Sequence, residues 1–154
     1  MFFLGLWLGL TCFLDFFAVP TIFRTLSSRQ DAGSLGMVLF LAFNRLEIVL
    51  SLILASCAWF FRDSIKWKKT FWTSMVFLFI LANVYTFHMS PTIINANKQK
   101  YELFEGSPEY EKLDRVHQQY HGLFRKTDGA KILVLLVLFG SALKGVGARR
   151  EEKA

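Results

Sequence analysis

Four apolar blocks separated by charged joints govern what this chain can fold into: residues 2–23, 37–61, 70–90 and a last stretch over 124–143. A bilayer core about 30 Å thick takes about 20 helical residues to cross, and the first three blocks supply that length. The fourth differs, because its uninterrupted apolar run covers only residues 132–143. Its crossing has to begin upstream and take in Lys131, Asp128 and the neighbourhood of Arg125, where charge is costly. A soluble fold fails on surface: 154 residues with 17 phenylalanines cannot clothe four such helices in polar groups. The expected fold class is all-α, an integral membrane four-helix bundle forming a single domain over residues 1–154.

A net charge of +6 would fit a nucleic-acid partner if the basic residues formed one surface. They sit instead in short clusters beside span ends, as in Arg62, Lys66, Lys68, Lys69 and in Arg149, Arg150, Lys153. That pattern sets topology or meets anionic lipid, so the lipid bilayer is the expected partner and no nucleic acid is. Trp59, Trp67 and Trp72 flank the basic joint at 62–69, and Trp7 is placed on the same side. Aromatic girdles and short Lys/Arg-rich loops favour the cytoplasmic face, which predicts a multi-pass protein, N-in and C-in. Cys12 and Cys57 fall inside spans and read as small apolar residues. The first block lacks a basic leader, is interrupted by Asp15 and has no small-x-small cleavage site, so it is read as a retained helix.

Gly5 and Gly9, four apart, either admit a close neighbouring helix or are simply tolerated. Residues 24–36 read as a short turn joining helices one and two into an antiparallel hairpin. After helix three, the segment PTIINANKQKYELF continues the helix to a break at Glu105, Gly106, Ser107 and Pro108. There Ser107 suits an N-cap and Pro108 the first helical position. Beyond it, Leu113, Val116, His117, Tyr120, Phe124 and Thr127 recur at steps of three and four, one face of a helix running into the last span. Helices three and four are thus expected to project beyond the membrane as a helical hairpin over about 91–128.

Ionisable residues within spans are the foremost candidates for function. Asp15 and Arg45 lie at matched depths, roughly 12 Å from the ends of their spans, which predicts an ion pair across the hairpin. Glu47 is about 3 Å deeper on another face of the same helix. With Asp128 and Lys131 these residues make a candidate intramembrane polar cluster. It either neutralises charge and fixes helix register or lines a path for a solute or proton. A second candidate is a metal or haem site. His117 and His121 stand at i and i+4, a spacing that can present two imidazoles to one metal, and His88 closes helix three near the same face. The plainer reading is histidines hydrogen-bonded between helices. No phosphate loop, nucleophile elbow, Cys-x-x-Cys or HExxH motif occurs, which argues against conventional soluble enzymology.

The runs GLTCFLDFFAVPTIFRTL and AGSLGMVLFLAFNRLEI, then SPTI after helix three and HQQYHGLF before helix four, resemble the transmembrane protein 205-like family of small four-helix membrane proteins. Val19, Pro20 and Phe23 match that family's first motif, Ala32, Gly33 and Gly36 its turn, Pro91 the third, and His117 or His121 the last. The resemblance implies fold and membrane location; the eukaryotic namesake is linked to drug resistance. The leading functional reading is handling of a small solute or metal ion through the intrabundle cluster. The alternatives are a membrane redox protein holding haem or metal at His88, His117 and His121, and a non-catalytic assembly protein whose 90–129 segment binds a partner. A homo-oligomer or a membrane protein partner fits a chain this small.

Overall fold

The computed structural model describes residues 1–60, 62, 65 and 68–151, with side chains as far as residue 143. Its helices are α1 (Phe2–Phe13), α2 (Val19–Thr25), α3 (Arg29–Phe60), α4 (Lys68–Val84), α5 (Ser90–Tyr101) and α6 (Pro108–Glu151). Two π-helical segments bridge neighbours, Leu14–Ala18 between α1 and α2 and Tyr85–Met89 between α4 and α5. The chain is therefore four continuous helical rods. Three of them, Phe2–Thr25, Arg29–Phe60 and Lys68–Tyr101, are long and apolar enough to cross a membrane. The all-α membrane bundle expected from hydropathy is the fold observed.

Both π segments have a local cause. Pro20 and Pro91 each stand at the start of the α-helix that follows a π segment. Proline donates no backbone hydrogen bond, and its ring presses on the carbonyl four residues earlier, here Phe16 and Phe87. Both carbonyls belong to the π segments, where a wider turn relieves the clash without breaking the rod. The prolines thus leave helices one and three unbroken but locally rewound.

The turn expected over 24–36 is far tighter. Leu26, Ser27 and Ser28 alone separate α2 from α3. Ser28 Oγ accepts from the Asp31 backbone N–H at 3.2 Å, and this cap starts α3 at Arg29. Gly33 and Gly36 are absorbed into the helix. The second break forms as read from sequence. Gly106 turns the chain with φ +89°, open to glycine at no steric expense, and Ser107 Oγ accepts from the Tyr110 N–H at 3.2 Å to start α6.

Packing divides into two apolar layers. The deeper one joins Leu4, Leu50, Leu54, Leu78, Leu135 and Leu138 from α1, α3, α4 and α6. The other stacks Tyr85, Met89 and Ile93 against Phe124. α1 and α6 meet closely, since a Cβ on Gly5 would stand 3.1 Å from the Phe139 ring, whereas Gly9 has nothing within 4 Å. Of the two glycines, Gly5 admits the neighbour. Beyond this core α5 and α6 run together as a stalk, pinned by the Lys100–Asp114 ion pair at 2.8 Å, with Gln118 Nε2 on α6 donating to Asp114 Oδ2 at 2.6 Å and so holding that carboxylate in place.

At the opposite end Trp59 and Trp72 pack edge to face, and the Arg62 guanidinium lies 5.1 Å over the Trp59 ring. Trp67, Lys66 and Lys153, and the side chains of Arg149 and Arg150, lie outside the described residues. Trp7 is no part of that girdle. It is fully buried in the deeper layer, because its indole N–H has a carboxylate to bind there.

Candidate functional site

Glu47 is the hub of the polar interior. Its side chain is fully buried on α3, and Oε1 accepts from Trp7 Nε1 at 2.8 Å and meets Lys131 Nζ at 2.8 Å. Lys131 reaches in from α6, where it also ion-pairs with Asp128 one turn earlier. Its ammonium lies 5.6 Å from the Phe43 ring centre and 5.5 Å from that of Tyr85, so aromatic faces supply part of the solvation that water would give. Tyr85 turns its hydroxyl away to donate to Thr127 Oγ1 at 2.8 Å. Asn44 Nδ2 donates to Ser90 Oγ at 2.9 Å, tying α3 to the start of α5. A buried charge pair is stabilised when the remaining polar atoms are also satisfied, and these bonds meet part of that need, leaving Glu47 Oε2 and Asn44 Oδ1 without a hydrogen-bond partner among the described residues.

Asp15 occupies the first π segment, half-buried, with its carboxyl beside that of Asp128 and within the field of Lys131 and Glu47. Both aspartates line one end of a cavity of about 570 Å³ between α2, α3, α5 and α6. Its walls are largely apolar, with Val19, Met37, Phe40, Ile93, Phe124 and Ile132 among them. Arg29, Lys100, Arg125, His117 and His121 line the same cavity from the stalk side. The space therefore runs from two adjacent carboxyls to a basic rim. Two such carboxyls repel in a low-dielectric setting unless a proton or a cation lies between them.

Four of the five polar residues singled out from sequence, Asp15, Glu47, Asp128 and Lys131, come together. Arg45 does not. It is exposed on α3, and among the described residues no ion pair joins it to Asp15. Matched depth was insufficient: Arg45 and Glu47 are two positions apart, roughly 200° around a helix, so only one can face the core. Glu47 takes it, and Lys131 from α6 supplies the cation expected of Arg45.

The histidines do not assemble as a set either. His117 and His121 stack at 5.9 Å between ring centres, while His88 pairs with Tyr120, its Nε2 3.3 Å from the phenol oxygen. Among the described residues no group of three His, Cys, Asp or Glu side chains is placed to hold a metal. Burial, then the charges of Lys100 and His121, hold the His117 pKa below the ordinary histidine value; for His121 the causes are burial and then Arg125.

Sequence reasoning missed Trp7, Tyr85 and Thr86 as members of the interior. Each sits in an apolar run, where an indole, a phenol or a hydroxyl looks like ordinary span composition. The available signal was the nearby Asp15 and Glu47, whose charges demand donors close at hand.

The family model described as "Domain of unknown function (DUF4149)" matches residues 2–102, and the chain belongs to that family. The match includes Trp7, Asp15, Asn44, Glu47, Tyr85 and Thr86, while Asp128 and Lys131 lie beyond it. No curated protein matches the chain, and no solved structure does.

Proposed function

We propose that this member of the DUF4149 family is a multi-pass membrane protein that handles a small solute in the cavity ending at Asp15 and Asp128. The observation that carries this reading is the pairing of two carboxyls at the end of an apolar-walled space of about 570 Å³, a size ordinary for small-molecule sites. A solute with an apolar body and a cationic or hydrogen-bond-donating group fits that chemistry, its donor taking the place of a proton between the carboxyls. Lys131 and Glu47 hold Asp128 in position.

In this reading α6 provides the fourth crossing over about 124–143, with both chain ends cytoplasmic in a bacterial inner membrane. The narrower kinship to transmembrane protein 205-like proteins belongs to the same proposal and rests on the short motifs around Pro20, Gly33 and Pro91. A cysteine at Ser107, in a Cys12→Ala, Cys57→Ala background, is then expected to react with an impermeant thiol reagent in intact cells.

Tetraphenylphosphonium, a lipophilic cation, is a direct probe of the site. Equilibrium dialysis of the purified protein in detergent is expected to show saturable binding that acid weakens and Asp15→Asn abolishes. Absence of saturable binding between pH 5 and 8, or its survival in Asp15→Asn, overturns the reading.

A further inference from the structure

Three buried oxygens lie where α3 meets the second π segment, and none has a hydrogen-bond partner among the described residues: Asn44 Oδ1, Glu47 Oε2 and Thr86 Oγ1. Their residues are at least nine-tenths buried, with exposures of 0 %, 0 % and 5 %. Helix register brings them toward one level. Asn44 is bonded to Ser90 on the antiparallel rod. Glu47 lies about 4.5 Å further along α3, and Thr86 about 6 Å back along the other chain in the same direction.

Thr86 departs from how hydroxyls behave elsewhere in this bundle. Thr11, Thr92 and Ser141 each donate to the carbonyl four residues earlier, at 2.9, 2.7 and 2.7 Å. That is the ordinary fate of a hydroxyl in a helix. Thr86 makes no such bond, and it lies inside a π segment, where the carbonyl ladder is displaced. A hydroxyl, an amide carbonyl and a carboxylate oxygen, all hard donors, are left buried without a partner among the described residues.

Charge completes the case. Lys131 is the cation paired with both Glu47 and Asp128, so with both carboxyls ionised the three side chains carry one negative charge in excess, which a proton or a cation has to offset. A low-dielectric interior does not tolerate an uncompensated charge. An ordered water would fill the hydrogen-bonding need of the three oxygens but leave the charge. A monovalent cation meets both needs, and oxygen donors beside rewound membrane helices suit one.

We propose that Asn44, Glu47 and Thr86 bind a sodium ion between α3 and the second π segment. The site is distinct from the carboxyl end of the cavity and does not rest on solute binding there. Thermal unfolding of the purified protein in detergent, in sodium chloride against choline chloride at equal ionic strength, tests it. Sodium is expected to raise the Tm of the wild-type protein saturably. Thr86→Val, close in shape but lacking the oxygen, is expected to lose that rise while its Tm in choline is no lower than wild type, since it removes an unsatisfied buried hydroxyl. Thr86→Ser keeps the rise, and so does Asp15→Asn, which separates this site from the cavity. Equal wild-type Tm in the two salts, the result an ordered water would give, overturns the proposal, as does a full sodium response in Thr86→Val. Equilibrium dialysis with radioactive sodium gives a second reading that does not depend on unfolding, and no saturable uptake by wild type would also overturn it.

Discussion

Trp7 on α1 donates its indole N–H to Glu47 on α3 at 2.8 Å, and neither side chain has any exposed surface. The bond joins the first rod to the charged centre and shares its acceptor atom with Lys131. Trp7→Phe keeps most of the packing volume but leaves Lys131 as the only donor to that oxygen among the described residues. Unfolding in detergent is expected to show a loss of about 1–2 kcal/mol. A stability equal to wild type would mean that the bond contributes nothing.

The ion pair should reveal itself through non-additivity. Lys131→Met strands Glu47 and Asp128 as buried carboxyls and is expected to destabilise by roughly 3–5 kcal/mol. Adding Glu47→Gln, which can still accept from Trp7, should recover part of that loss. A coupling of about 1–3 kcal/mol from the double-mutant cycle is expected, and additive effects would show that the two side chains act independently.

Contact between α1 and α6 predicts a contrast between two glycines. Gly5→Val drives its side chain into Phe139 and is expected to cost about 1–3 kcal/mol, partly relieved by Phe139→Leu. Gly9→Ala meets open space and should be neutral or stabilising by up to about 1 kcal/mol. Matching Tm values for Gly5→Val and Gly9→Ala would contradict the packing.

The stalk should weaken in mild acid. The folded state holds the His117 and His121 pKa values below the ordinary 6.5, so the unfolded chain binds protons first. Stability from these groups is therefore level above about pH 6.5 and falls as pH drops below it. Asp114 works in a lower window: its hydrogen bond to Lys100 holds its pKa below 3.8, and its contribution is lost only as pH falls through that lowered value. Amide exchange of residues 108–124, corrected for intrinsic rates, should show protection falling between pH 7 and 5.5, and His117→Asn with His121→Asn should flatten the profile. An unchanged slope in that double variant would assign the effect to other groups.

Much of this was legible in the sequence, and the limit falls at one physical step. Span positions emerge because hydropathy averages over about 20 residues, so single errors wash out. Asp15, Glu47, Asp128 and Lys131 were visible because a charge in an apolar run is conspicuous. Partner choice was not. Whether Glu47 or Arg45 faces inward depends on how four rods rotate against one another, which depth along the axis does not determine. The same holds for His88, which meets Tyr120 and not the stacked imidazoles. The π segments were hidden too, although Pro20 and Pro91 marked where to look.

Those two π segments also change how the chain's faces are to be counted. A π turn holds about one residue more than an α turn, so every side chain beyond it is swung round relative to an uninterrupted helix. A helical wheel drawn from Phe2 straight through to Thr25 therefore assigns the residues after Ala18 to the wrong azimuth, and one drawn through Met89 misplaces α5 in the same way. Rewinding all five residues of the 14–18 stretch as ordinary α-helix would swing the Phe23 side of the cavity away from α3, whereas removing one residue there would leave a regular turn with α2 still facing its neighbour. In this bundle the irregular turns are what keep each rod's two halves facing the same centre.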